Sequence, residues 1–261
     1  MHFRTGILVA TLLAAIGVAE AYPPSEGFHL KESDAEAMAV ADEVMDAMGG
    51  WENWNKTRYI TWRFFGGRLH VWDKWTGDIR FEQGELTVLM NINTRKGKVY
   101  RNGVVESQAD SIEKYLDRGY KSWVNDSYWL IMPYKLKDSG VTLKYTGEEA
   151  LTDGSPTQVL TLTFENVGVT PQNMYHVYVD KATHLVAVWA FYPKASDPEP
   201  RFRGPWENWA IHGKIMIADG HGLDRNGEPR RHTDIAVFDA LPDAVFHSPE
   251  AVDMMAFPRA K

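Results

Sequence analysis

Along this chain the spacing of apolar residues changes from helical to alternating, back once, and then to alternating again. Between Ser33 and Met48, the residues Met38, Ala41, Val44, Met45 and Met48 recur three and four positions apart, which predicts an amphipathic helix. Ser33 and Glu36 have capping-box spacing at its start, and Gly49-Gly50 supplies a stop. The period then becomes two. Arg58–Phe65, Arg68–Trp75, Ile79–Glu82 and Leu86–Asn93 alternate, broken by Gly66-Gly67 and Thr76-Gly77-Asp78. Lys98–Arg101 and Val104–Glu106 flank Asn102-Gly103, the dipeptide favoured in two-residue hairpins because both positions need positive φ. Consecutive strands joined by short turns predict an antiparallel meander.

A helical insert interrupts it. Asp110 and Glu113 suit its first turn, and Ile112, Tyr115, Leu116, Tyr120, Trp123 and Val124 share one face before Met132-Pro133 ends it. Strands are predicted again over Val141–Leu151, Thr157–Glu165, Asn173–Asp180, His184–Tyr192, Asn208–Ala218 and Arg230–Phe238. The connection Pro193–Pro205 contains Pro193, Pro198, Pro200 and Pro205 and has no apolar period. Loops of that length in compact domains often serve as lids or binding segments. Trp51-Glu52-Asn53-Trp54 echoes Trp206-Glu207-Asn208-Trp209, but the flanking residues do not align, so the echo is read as coincidence.

The first 21 residues say where the protein is expected to work. Arg4 precedes an apolar run from Gly6 to Val18 that closes on Ala19-Glu20-Ala21, the pattern of a cleavable secretory signal. That run is short for a bilayer span. The expected mature chain, 22–261, is one soluble domain in the periplasm or outside the cell. With no Cys, it relies on its core for stability. The net charge of −7 argues against general nucleic-acid binding, which needs a basic surface to release counterions. The aromatic load is high, with 10 Trp, 11 Tyr and 11 Phe; most of these rings are expected in the core, but 10 Trp is generous for this length and suits a protein that holds an apolar or sugar ligand.

Catalytic signatures are absent: there is no nucleophile elbow, no H-E-x-x-H, no P-loop and no dinucleotide fingerprint. Asp219-Gly220-His221-Gly222-Leu223-Asp224, with Asn226 and Glu228, fits neither a calcium loop nor a zinc pair and reads as a solvated hairpin turn. His70, His176, His184 and His212 fall on predicted strands and read as ordinary cross-strand residues. No metal or cofactor is expected. Asp73, Asp78 and Glu82 beside Trp72 and Trp75 keep a carbohydrate-active enzyme open as an alternative, and a structural or interaction protein of the envelope is a third reading. Arg225, Arg230, Arg231 and His232 form the one local basic patch, suited to a charged hairpin tip or to a lipid head group. The favoured ligand wall is the Met and aromatic set: Met38, Met45, Met48, Trp62, Phe64, Trp72, Met90, Trp123, Trp129, Met132, Trp189 and Phe191.

The layout of exported leader, Met-rich helix, meander and helical insert resembles the periplasmic lipoprotein carriers of the LolA/LolB type. The segment Tyr178–Val186, with Asp180 and Thr183 at its turn, is similar to a hairpin of that superfamily, and Phe246-His247-Ser248-Pro249 looks like its closing Phe-x-x-Pro. Ser122–Leu136 and Phe164–Tyr175 look like an exported branch on the same architecture whose domain has no assigned function. The resemblance implies a mainly β, α+β fold: a half-open antiparallel β-barrel with the N-terminal helix and the helical insert in or across its mouth. It also implies a greasy cavity and no catalytic residue. The expected role is therefore non-enzymatic binding or transport of an apolar or amphipathic ligand, a lipid or lipoprotein acyl chain. An envelope protein partner and peripheral membrane contact are compatible with that role.

Overall fold

In the computed structural model, residues 22–165 and 170–261 are described, and the expected signal at 1–21 lies outside them. Two helices lead the chain. α1 (Ala35–Ala47) buries Val40, Val44 and Met45, as its apolar spacing requires. The expected capping box does not form. Ser33 Oγ donates to the His29 carbonyl and accepts from the Leu143 amide, while Asp34 occupies the cap position and accepts from the Tyr145 amide. Ser33 and Asp34 therefore tie the helix start to the adjoining strand. Gly49 and Gly50 adopt positive φ and end α1, but a short helix not foreseen from the sequence, α2 (Gly50–Lys56), follows at once and buries Trp54.

Neighbouring strands then pair as the alternating pattern predicts. β1 (Tyr59–Phe64), β2 (Arg68–Asp73), β3 (Asp78–Gln83), β4 (Leu86–Asn91), β5 (Gly97–Arg101) and β6 (Val104–Val105) form a meander. Asn102 and Gly103 take φ of 52° and 74° between the last two strands. The insert is α3 (Ala109–Ile131), continued by a turn of 3-10 helix at Met132–Lys135. β7 (Val141–Ala150), β8 (Pro156–Phe164), β9 (Met174–Asp180), β10 (Val186–Tyr192) and β11 (Phe202–Pro205) make a second, five-stranded sheet. At the β9–β10 turn, Asp180 Oδ1 accepts from the amides of Ala182 and Thr183 and from the Thr183 hydroxyl.

The last third of the chain departs from the expected strands. Asn208–Ala218 is not one strand: a turn at Gly213-Lys214 divides β12 (Glu207–His212) from β13 (Ile215–Leu223). The stretch Asp219–Leu223, expected as a solvated turn, is the end of β13, and the turn lies at Asp224–Gly227. Arg230–Phe238 divides at His232 into β14 (Pro229–Arg231), which pairs with β13, and β15 (Thr233–Phe238), which pairs with β1 and completes a seven-stranded sheet.

The fold is thus mainly antiparallel β with a few helices, in the α+β class. Among the described residues no sheet closes on itself, so the expected half-open barrel is not established. α3 interrupts the meander between β6 and β7, so those strands become sheet edges instead of pairing. The main core joins Met45 of α1 and Met48 at its C-cap to Ile60, Trp62, Ile79 and Phe81 of the seven-stranded sheet and to Leu160, Leu162 and Val177 of the five-stranded one. A smaller cluster fixes the C-terminal segment, where Phe246 stacks on Tyr59. There, the fully buried Arg80 donates to the carbonyls of Val245 (3.0 Å) and Ser248 (2.8 Å), so its charge is not left unsatisfied. No helix among the described residues is long and apolar enough to cross a membrane.

Candidate functional site

A cavity of about 850 Å³ lies between the C-terminal half of α3 and the five-stranded sheet. Helical spacing puts Tyr120, Trp123, Val124, Ser127 and Tyr128 on the face of α3 that meets it. The opposite wall comes from strand register. Tyr175 on β9 lies opposite Phe191 on β10, which lies opposite Phe202 on β11, so one cross-strand row presents three aromatic rings on one face. Phe164, two residues beyond the Leu162 partner of Tyr175, extends the row, and Trp189 stands two residues before Phe191 on the same face. Tyr175 and Trp189 stack at 5.2 Å, and Trp129 meets Trp189 edge-on at 4.7 Å. Gly204, paired with Trp189, gives the row its shape: a Cβ there would sit 2.4 Å from the Phe202 ring, so a side chain would displace that ring.

Several of the wall's polar groups have protein partners: Ser127 Oγ donates to the Val124 carbonyl and Asn173 Nδ2 to the Thr170 hydroxyl. The Tyr128 hydroxyl and the indole nitrogens of Trp123 and Trp189 are buried with no hydrogen-bond partner among the described residues. Burial pushes the Tyr128 phenol well above its ordinary value and Tyr175 up to about 12, so both stay neutral. Charge is confined to the rim, where Lys135 pairs with Asp138 and where Arg201, Asp224, Arg225 and Arg230 stand.

Behind Trp129 lies a second layer. His221 contacts Trp129, Trp206 and His232, and His232 stacks on Phe65 at 4.8 Å with the rings nearly parallel. Phe65 holds φ of 43°, a conformation uncommon for a bulky residue, at the β1–β2 turn. Burial lowers His221 to about 3 and His232 to about 4, so both rings are neutral packing elements. α3 itself is fixed by a buried polar node. Asp126 accepts from Arg68 Nε (2.6 Å) and Nη2 (2.7 Å) and lies 2.7 Å from His70 Nε2. Burial alone would raise Asp126, but the His70 and Arg68 hydrogen bonds hold it below the ordinary carboxylate value. Burial outweighs Asp126 and lowers His70, so the neutral imidazole donates through Nε2.

Of the residues proposed from sequence as a ligand wall, Trp123, Trp129, Trp189 and Phe191 line this cavity. The others are placed elsewhere. Met45, Met48, Trp62 and Met132 are fully buried in the core, Trp72 and Met90 are buried there too, and Met38 and Phe64 pack against it half-buried. Trp72 lies behind the wall, edge-on to Trp123 at 5.4 Å. Tyr120, Tyr128, Phe164, Tyr175 and Phe202 were missed. The proline-rich connection was the signal for Phe202 and Arg201, and the alternation Tyr175-x-Val177 was available for Tyr175. His70, His176, His184 and His212 do not converge: His176 reaches Tyr192, and His184 sits in a turn beside Glu43. Among the described residues no three His, Cys, Asp or Glu side chains are placed to hold a metal.

The chain matches no protein-family model and no curated protein sequence. Among solved structures, it is similar to a DUF1329 family protein from Desulfovibrio piger, with 14% identity and a TM-score of 0.44, over 80% of this chain and 96% of that one. It is also similar to MucB, with 13% identity and a TM-score of 0.25, over 78% of this chain and 57% of MucB. A structure of MucB in complex with MucA(peri) gives 13% identity and a TM-score of 0.22.

Proposed function

We propose that this protein is a non-enzymatic binding or carrier protein of the cell envelope that holds an apolar or amphipathic ligand, a lipid or acyl chain, beneath α3. The observation that carries this reading is the aromatic-walled cavity of about 850 Å³, whose charges stand only at its rim. That volume is at the upper end of small-molecule sites, which run to roughly 1,000 Å³. Burying ten methylenes contributes about 8 kcal/mol at roughly 0.8 kcal/mol each. Association costs of several kcal/mol offset part of that and leave useful affinity. The resemblance of the sequence to LolA/LolB-type carriers and the secretory pattern at 1–21 support an envelope location.

The carboxylates weighed for sugar hydrolysis give that alternative no support, because each has a structural partner. Arg58 grips Asp73 with Nε (3.1 Å) and Nη2 (2.8 Å), Asp78 accepts from Thr76 and Asn91, and Glu82 pairs with Arg80. Burial pushes Asp73 upward, but Arg58 and the amides of Trp75 and Thr76 hold it below the ordinary carboxylate value, the wrong direction for a general acid.

The test is native mass spectrometry of protein isolated from cell envelopes, followed by solvent extraction. One lipid-sized adduct per chain, identified in the extract, is expected. An empty chain that also fails to take up added lipid contradicts the proposal.

A further inference from the structure

We infer that the ligand of this cavity carries an anionic head group, a carboxylate or phosphate, which Arg230 receives at the rim with Arg201 and Arg225 beside it. The inference rests on the cavity-binding reading above and adds the chemical class of the ligand. Its first ground is local charge. The chain carries a net charge of −7, yet the rim brings together Lys135, Arg201, Arg225 and Arg230. Two carboxylates share this rim: Asp138 pairs with Lys135, and Asp224, held by the backbone amides of Asn226 (2.8 Å) and Glu228 (2.9 Å), lies within electrostatic reach of Arg230, so the three arginines remain in excess.

The second ground is the contrast between two adjacent arginines on β14. Successive strand residues face opposite sides. Arg231 points away from the cavity and is neutralised by Asp219, through Nε at 3.2 Å and Nη2 at 2.5 Å. Arg230 points toward the cavity, half-buried, and among the described residues no carboxylate or carbonyl accepts from it. Its guanidinium instead lies 5.7 Å from the Phe65 ring, 5.8 Å from Trp129 and 5.6 Å from Phe202. Three rings fix the position of the cation without using its N–H donors. A planar fork held there, with apolar wall on one side and water on the other, matches the head of an amphiphile whose chain enters between α3 and the aromatic row.

The experiment is competition against a neutral fluorescent probe, N-phenyl-1-naphthylamine, by dodecanoate, dodecyl phosphate and dodecanol. All three carry the same chain, and the full-length mature protein is used. At least one anion is expected to compete about tenfold better than dodecanol, as one charge-assisted pairing implies. In Arg230→Gln the ratio of anion to alcohol should collapse toward one, and in Arg201→Gln it should fall less. A melting curve for each variant confirms folding, and the ratio within one protein is insensitive to partial loss of fold. A dodecanoate preference assigns a fatty-acid-like ligand and a dodecyl phosphate preference a phospholipid-like one, and either supports the inference. Equal competition by anions and alcohol overturns the head group while leaving the cavity reading in place. An unchanged ratio in both variants likewise overturns the assignment to these arginines. Absence of binding by the probe and by every competitor overturns both.

Discussion

Two aromatic regions of this molecule are built from the same residue types and behave differently. Between α1 and the seven-stranded sheet, Trp62, Phe81, Met45 and Met48 close on one another until none is accessible to solvent. Between α3 and the five-stranded sheet, Tyr120, Trp123, Phe191 and Phe202 stand around open volume. The difference lies in what holds the elements apart. α1 has apolar side chains facing the core and sinks onto it. α3 packs on β4, where Gly119 meets Val88, and is pinned through Asp126 to Arg68 and His70 of β2, so its anchor is the seven-stranded sheet and not the five-stranded one across the cavity. Aromatic content does not distinguish core from wall; the anchoring of the facing element does.

The largest effect that separates the two regions is expected in the closed one. Trp62→Ala should cost about 3–5 kcal/mol of unfolding free energy, as for large aromatic deletions in a core. A denaturant midpoint within error of the parent would show that Trp62 is not core. Next is the anchor. Asp126→Ala leaves Arg68 and His70 facing an emptied site and should cost roughly 3 kcal/mol, together with loss of probe binding as α3 shifts. Retained affinity at reduced stability would separate the node from the cavity.

The layer behind the wall makes a smaller, pH-dependent contribution. His221 and His232 have folded values, about 3 and about 4, below their unfolded value near 6.5, so the unfolded chain binds protons first. Their neutral burial therefore favours the fold fully above about pH 6.5, and stability declines as pH falls toward 4 and then 3. Asp126 adds a loss of its own only below the ordinary carboxylate range, so the two windows are distinguishable. Chemical denaturation between pH 7 and 4.5 checks the histidine part: His221→Gln with His232→Gln should flatten the slope, and an unchanged slope assigns it elsewhere. The smallest effect on stability is expected at the open wall. Phe191→Ala should cost about 1 kcal/mol or less, because the ring is half-buried beside a void, yet weaken probe binding several-fold. Loss of fold without loss of affinity would move Phe191 into the core class.

How far the sequence shows this depends on the range of the physics involved. Periodicity and turn chemistry are local, so β1 to β6, the Asn102-Gly103 hairpin and α3 were legible, while the Asp180 turn was met only through the resemblance of Tyr178–Val186 to a known hairpin. The division of Arg230–Phe238 was not, because β14 and β15 choose partners in different sheets and His232 lies where the chain changes over. Ser33 and Glu36 had the spacing of a capping box, but the strand at Leu143 and Tyr145 competes for the Ser33 and Asp34 oxygens. The candidate wall was legible in kind and only partly in membership. Trp123, Trp129, Trp189 and Phe191 were named, while Tyr175 and Phe202 join them only through cross-strand register. The basic patch was visible, but which arginine lacked a partner depended on the face of β14 it occupied.

The central claim is that the volume beneath α3 is a binding site, and filling it is the most direct test. Val124 lies on the α3 face of the cavity, half-buried and with room in front of it. In a fluorescence titration with N-phenyl-1-naphthylamine, the parent protein should bind one probe saturably. Val124→Trp should abolish that binding, or weaken it by about tenfold or more, while its melting temperature stays level or rises as the void fills. Equal affinity in the filled variant, at unchanged stability, would contradict the account.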